Sequence, residues 1–316
     1  MPRAEAIAVE SLSKRYRNGV QALRGIDFSV REGDVVGYLG PNGAGKTTTM
    51  KVLTNLIRPT EGHAYIAGVD VQKHPLEALA HVGALIEVPG VYEYLTPTEV
   101  MAYFGRVHGL SHASTAERTK TVLDRVRLSE WADAKVGGFS TGMTRRFFIA
   151  LTMLHDPDVL ILDEPVLGLD PKGMQDIRVI IKDLAKEGKT VILSSHLLGE
   201  VAETCNRIIM INHGKIQVTD TVENLTKAGA SRRIDVEFLA PLEAEALSTL
   251  QALPGVTRVE MNGRRGTLEY AGNLEAVAAI LHGAVGAGLK PVSFALQEAS
   301  LEDIYVSMVG KDGGIH

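Results

Sequence analysis

The 316-residue sequence predicts an α/β fold followed by a smaller α+β domain. Three observations carry this. A glycine-rich turn, Gly40-Pro-Asn-Gly-Ala-Gly-Lys-Thr47, lies between an apolar strand pattern and a helical pattern. Two short runs, Val159-Leu-Ile-Leu162 and Thr190-Val-Ile-Leu193, read as strands buried on both faces, as in parallel sheets. Beyond a shift to small and polar residues at Lys227 to Ser231, the pattern runs β-α-β-β-α-β, which is the order of a ferredoxin-like unit.

Composition narrows the partners. A net charge of -5 with 33 basic residues gives no basic excess, so no nucleic acid partner is expected. One cysteine, Cys205, rules out an intramolecular disulfide and reads as a small core residue of a chain in a reducing compartment. The first residues hold no apolar signal core, and the uncharged stretch Ala276 to Leu289 falls short of the roughly 20 residues needed to span a bilayer. A soluble chain is expected, with any membrane role exercised through a partner.

Ile7 to Leu12 and Leu23 to Val30 alternate in polarity around the Asn18-Gly19 turn, a strand meander. Tyr16 stands just before that turn, either as a platform for a base or as an ordinary strand tyrosine. Asp34 to Leu39 reads as a buried strand, and the helix after it runs from Thr47 past Leu53 to Ile57. Between them Gly40, Gly45, Lys46 and Thr47 satisfy G-x-x-x-x-G-K-[ST] in the strand–loop–helix context that makes it a phosphate loop. Glycines there let backbone N–H groups curl round an anion, and the helix N-terminus adds partial positive charge. Lys46 would reach the β- and γ-phosphates of a nucleoside triphosphate, and the Thr47 hydroxyl would ligate Mg²⁺.

Strands are expected at His63 to Ala67 and His81 to Val88. Thr96, Pro97 and Glu99 form a helix start with a capping box, followed by Val100, Tyr103, Phe104 and Val107 at helical spacing. Helical pattern continues to about Leu128, breaks at Phe139 to Gly142, and resumes from Met143 to His155 with Ser140 as cap. Residues 91–155 thus read as a helical insertion. The strand Val159 to Leu162 ends in Asp163-Glu164, where phosphate-loop folds place the Mg²⁺ carboxylate. Gly168-Leu-Asp-Pro171 caps a helix to Ala185, and the strand from Thr190 delivers Ser194-Ser195-His196 at the edge where open α/β sheets bind ligands. A hairpin over Ile208 to Val218 closes the first domain. In the second, Leu274, Val277, Leu281 and Val285 make the expected apolar stripe of the last helix.

Together these pieces resemble the ATPase subunit of an ABC transporter over residues 5 to about 225. Gly40 to Thr48 looks like the Walker A loop, Val159 to Pro165 like Walker B, Gly168 to Pro171 like the D-loop and Ser194 to His196 like the switch-histidine segment. The tail, with Ser300 to Tyr305, is similar to that of drug- and bacitracin-resistance exporter ATPases. The resemblance implies a phosphate-loop NTPase core of ABC type over 1–226, with antiparallel β and helical subdomains, and an accessory domain over 232–316. It implies ATP and Mg²⁺ as cofactors. Tyr16, Asn42, Gly43, Gly45, Lys46, Thr47 and Thr48 would hold the nucleotide, with Ser140 and Gly142 of the signature loop. Thr47, Asp163 and the lid residue Glu87 would serve the metal, while Glu164 as base, His196, Lys46 and Asp170 make the catalytic set. Two departures stand out. The signature loop reads Phe139-Ser-Thr-Gly-Met143 in place of Leu-Ser-Gly-Gly-Gln, and Glu87 replaces a glutamine.

In such a family two copies sandwich ATP, and a separate permease receives their motion, which places the chain at the cytoplasmic face of the membrane. Tyr92 and Tyr94 stand near where the membrane subunit would dock, unless they pack on the helix begun at Thr96. Two other functions share these motifs: a soluble ATPase acting on ribosomes or nucleic acid, and a regulatory ATP-binding module. The single phosphate loop and the lack of sustained heptads weigh against the first.

Overall fold

A computed structural model describes residues 4–87, 90–228 and 233–297, and its contacts separate two compact units, Met1–Val222 and Glu223–His316. In the first unit β1 (Glu5–Arg15) and β2 (Gln21–Arg31) pair antiparallel as the alternation predicts. Ile7, Val9 and Leu12 are buried on one, and Ile26, Phe28 and Val30 on the other. Next, β3 (Val35–Leu39), buried at every residue, leads into α1 (Lys46–Leu53). β4 (Glu61–Ile66) and β5 (Val69–Asp70) complete an antiparallel sheet ordered β2-β1-β4-β5. α2 (Pro75–Ala80) precedes β6 (Val82–Leu85). Six residues are too few to display a helical repeat, so the periodicity passes over α2.

The helical insertion comprises α3 (Pro97–Val107), α4 (His112–Arg125), two 3-10 turns and α5 (Thr141–Thr152). Its capping box forms as expected. The Glu99 N–H donates to Thr96 Oγ1 at 3.2 Å, and the Thr96 N–H donates to Glu99 Oε2 at 2.9 Å. The expected stripe of α3 holds only in part: Val100 is buried, but Met101 joins it, and Tyr103 and Val107 are exposed. Gly105 explains the rotation. A Cβ there would stand 2.4 Å from the Thr115 side chain, so α4 packs against the Met101–Gly105 edge.

The chain then forms β7 (Val159–Leu162), α6 (Pro171–Lys186), β8 (Thr190–Ser195), α7 (Leu198–Thr204), β9 (Arg207–Asn212) and β10 (Lys215–Thr221). These strands make a sheet ordered β10-β9-β3-β8-β7-β6, parallel throughout except for β10 at its edge. The register sets Leu39 beside Ser195, and Leu162 beside Leu193. The loop after β3, the acidic pair after β7 and the histidine after β8 therefore emerge at one edge.

A helix α8 (Val222–Ala228) spans the unit boundary and covers the start of the stretch expected as a linker; residues 229–232 lie outside the described residues. The second unit contains β11 (Arg233–Phe238), α9 (Ala244–Gln251), β12 (Val256–Asn262), β13 (Arg265–Tyr270), α10 (Leu274–Gly286) and β14 (Pro291–Gln297). Its antiparallel sheet is ordered β12-β13-β11-β14. Ile234, Val236, Phe238, Leu250, Leu268, Ile280 and Ala284 form the core. Of the expected α10 stripe, Val277 packs against the core, whereas Leu274 and Val285 are exposed and Ile280 and Ala284 are buried in their place. Asn273 caps the helix through the Glu275 and Ala276 N–H groups and leaves Leu274 at the outer first turn. Val88, at the end of the strand expected over His81 to Val88, and the Ser300 to Tyr305 tail lie outside the described residues. Among the described residues no helix is long and apolar enough to cross a membrane.

Candidate active site

The phosphate loop is possible only with glycine at its closing turn. Gly45 has φ +115°, and a Cβ there would meet the Ala22 carbonyl oxygen at 2.7 Å and the Leu23 side chain at 2.9 Å. The turn releases the chain into α1, whose first N–H groups have no helical partners and face the loop. Lys46 is 6% exposed. Its ammonium folds back over the loop, donating to Gly40 O at 2.7 Å and Pro41 O at 3.3 Å, and stands 3.5 Å from Glu164 Oε1. The hydroxyls of Tyr16 and Thr48 are 3.2 Å apart.

The acidic pair faces this loop from β7. Asp163 is 5% exposed, and the Ser194 hydroxyl donates to its Oδ1 at 2.5 Å. The Ser194 Oγ in turn accepts the Glu164 N–H at 2.9 Å. Glu164 has φ +46°, in the left-handed region that costs a non-glycine residue about 1–3 kcal/mol and collects at functional sites. Its Oε2 lies 3.0 Å from His196 Nδ1. One carboxylate is thus held between an ammonium and an imidazole.

Tyr16, Asn42, Gly43, Gly45 to Thr48, Glu164 and His196 line a single cavity of about 500 Å³. Ser140, Gly142 and Asp170 do not join them. They line a separate cavity of about 480 Å³ with Met143, Arg146 and Lys172. Ser140 Oγ accepts the Met143 N–H and caps α5, and Asp170 Oδ1 accepts the Gly173 N–H and caps α6. Glu87 also stays apart: it is 64% exposed and pairs with Lys51 Nζ at 2.6 Å. Tyr92 and Tyr94 are exposed, stacked on each other with ring centroids 5.4 Å apart.

Of the expected Mg²⁺ ligands, Thr47 lines the cavity and Asp163 directly precedes the cavity residue Glu164, and both carry the oxygen donors a hard cation takes. Among the described residues no group of three or more acidic, histidine or cysteine side chains could cage a metal alone. Mg²⁺ takes one or two protein oxygens and completes its shell with substrate phosphates and water.

Sequence reading missed two residues. Arg145, on α5, is buried and donates to the Leu167 carbonyl at 3.5 Å in the loop between Glu164 and Asp170. Burial pulls its pKa down, opposed by the charges of Asp163 and Glu164. In the sequence it is one of two adjacent arginines, and nothing marks it as buried. Ser194 precedes His196 by two positions, but its contact with Asp163 follows only from the parallel register of β7 and β8.

The profile of the ABC transporter family matches residues 23–167. The chain is 34% identical over 240 residues to the ABC transporter ATP-binding protein NatA of Bacillus subtilis, covering 75% of this chain and 98% of that protein. It is 32% identical to the daunorubicin resistance ATP-binding protein DrrA3 of Streptomyces coeruleorubidus, covering 97% and 96% of the two chains. The bacitracin transport ATP-binding protein BcrA of Bacillus licheniformis is 32% identical, with 96% and 97% covered. Among solved structures, an ATP-binding subunit of an ABC transporter superposes with a TM-score of 0.64 at 28% identity, covering 71% of this chain and 92% of that one.

Proposed function

The chain belongs to the ATP-binding subunits of ABC transporters, and from that premise we propose that it powers an exporter, acting in pairs on a separate membrane-spanning subunit. One observation carries the reading: Lys46, Glu164 and His196 converge in one cavity at the edge of the parallel sheet. Relatives named for daunorubicin resistance and bacitracin transport support the export direction. A net charge of -5 does not favour an ATPase acting on nucleic acid.

In this reading ATP enters the cavity with its base against Tyr16 and its phosphates in the loop. Lys46 exchanges its backbone carbonyl partners for the β- and γ-phosphate oxygens. Glu164, released from Lys46, orients water for in-line attack and takes its proton. His196, already on Glu164, fixes that carboxylate and contacts the γ-phosphate. When bound, Mg²⁺ held by Thr47 and Asp163 would neutralise charge on the phosphates. Glu87 would join the metal only by leaving Lys51, and an exposed pair of that kind resists by about 0–1 kcal/mol. Glu87→Gln is therefore expected to reduce the gain in ATP affinity that Mg²⁺ confers, read by ATP titrations with and without the metal. An equal gain in both proteins would remove Glu87 from the metal set.

Ser140, Gly142 and Asp170 lie in a cavity apart from the phosphate loop of their own chain. This supports a second copy whose signature loop completes the site on ATP, through a hydroxyl, a backbone N–H and a helix N-terminus. Attachment to the membrane subunit would place the chain at the cytoplasmic face of the membrane, with the exposed Tyr92–Tyr94 stack as a docking element. The second unit, with its strand order β12-β13-β11-β14, is read as a ferredoxin-like accessory domain.

His196→Ala tests the site. ATP hydrolysis should fall about 10²–10³-fold, as when one charge-stabilising contact is removed, with ATP binding nearly unchanged. Normal turnover at saturating ATP, with binding much weakened, would make His196 a structural residue.

A further inference from the structure

We infer that Ser194 is a positioning residue for both carboxylates of the site: its one hydroxyl orients Asp163 toward the metal and pins the backbone that carries Glu164. The inference rests on the ATPase reading proposed above. Ser194 is fully buried at the end of β8. The register that sets Leu162 beside Leu193 brings it alongside Asp163. Its Oγ lies 2.5 Å from Asp163 Oδ1 and 2.9 Å from the Glu164 nitrogen.

The directions of these two bonds follow from donor arithmetic. The Glu164 amide can only donate, so the serine oxygen accepts there and its single proton goes to Asp163. A bond from a hydroxyl to a carboxylate is charge-assisted and short. Oδ1 is thereby engaged, and Oδ2 is the oxygen left for a hard cation or its water. Loss of the hydroxyl would free a buried carboxylate to turn about its Cβ–Cγ bond. The second bond fixes the peptide entering Glu164, whose φ of +46° is the one strained angle in the acidic pair. A change at Ser194 should therefore act on metal and base together. The next residue serves differently: the Ser195 hydroxyl accepts the Leu197 N–H at 3.0 Å at the entry to α7.

Three variants separate positioning from packing. Ser194→Ala removes the hydroxyl, Ser194→Cys keeps nearly its size with a poor donor, and Ser194→Thr keeps the hydroxyl. The readouts are the factor by which Mg²⁺ strengthens binding of a fluorescent ATP analogue, measured against EDTA, and the kcat and KM of hydrolysis. Ala and Cys should cut the Mg²⁺ gain and kcat by about 10-fold or more, as loss of a partner behind a metal ligand does, with metal-free binding within about twofold of wild type and the KM for Mg²⁺-ATP rising as the gain is lost. Thr should recover part of both. If Ser194→Ala fails to fold, the contrast between Cys and Thr carries the same comparison. Wild-type Mg²⁺ gain and kcat in Ala and Cys would overturn the inference, as would binding losses equal with and without Mg²⁺. A wild-type protein with no Mg²⁺ gain would overturn the metal reading of Thr47 and Asp163 and this inference with it. A normal wild-type gain with unaltered variants would remove Ser194 alone.

Discussion

Glu164→Gln should leave a protein that binds ATP and scarcely hydrolyses it. The carboxylate now sits 3.5 Å from Lys46 Nζ and 3.0 Å from His196 Nδ1. An amide fills the same volume and meets the same cost at φ +46°, so the fold should survive. It cannot take a proton from water, and loss of a general base costs about 10²–10⁴-fold in rate. It also holds Lys46 less firmly, which leaves the ammonium freer for phosphate, so ATP affinity should hold or rise. Phosphate release at saturating Mg²⁺-ATP checks the rate, and a fluorescent nucleotide titration checks the affinity. Hydrolysis at the wild-type rate would move the base to another residue.

Lys46→Ala should fail earlier, at binding. The side chain is 6% exposed, and its ammonium is the only cationic group of this chain lining the phosphate cavity among the described residues, apart from a protonated His196. A hydrogen bond to a charged group is worth about 1.5–3 kcal/mol, so affinity for ATP should drop roughly 10–100-fold. Truncation also strips Gly40 O of its donor. Turnover should vanish even at ATP concentrations that saturate the variant. Unchanged affinity would show that the loop does not hold the phosphates.

The sequence alone makes legible whatever the chain encodes locally. The strand–glycine turn–helix unit around Gly45, the Thr96–Glu99 capping box, the Ser140 cap and the cap within Gly168 to Pro171 each depend on a few adjacent residues, and each appears in the structure. The buried runs of β7 and β8 were legible because no alternation interrupts them. Faces of apolar-rich helices were not. In α3 and α10 several stripes satisfy helical spacing, and the choice fell to Gly105 against Thr115 in one and to the Asn273 cap in the other. Contacts across the sheet were hidden as well. Ser194 reaches Asp163 through register, and Arg145 reaches Leu167 through the packing of α5, neither of which a linear pattern records. The Lys51–Glu87 pair joins α1 to the lid across 36 residues, and its partner could not be named beforehand.

The separation of Ser140, Gly142 and Asp170 from Lys46 and Glu164 within one chain makes dimer formation on ATP the most direct test of the motor. Sedimentation velocity of Glu164→Gln should show a monomer without nucleotide and with ADP, and a particle of twice the mass with ATP. A monomer under all three conditions, or a dimer indifferent to the nucleotide, would contradict it.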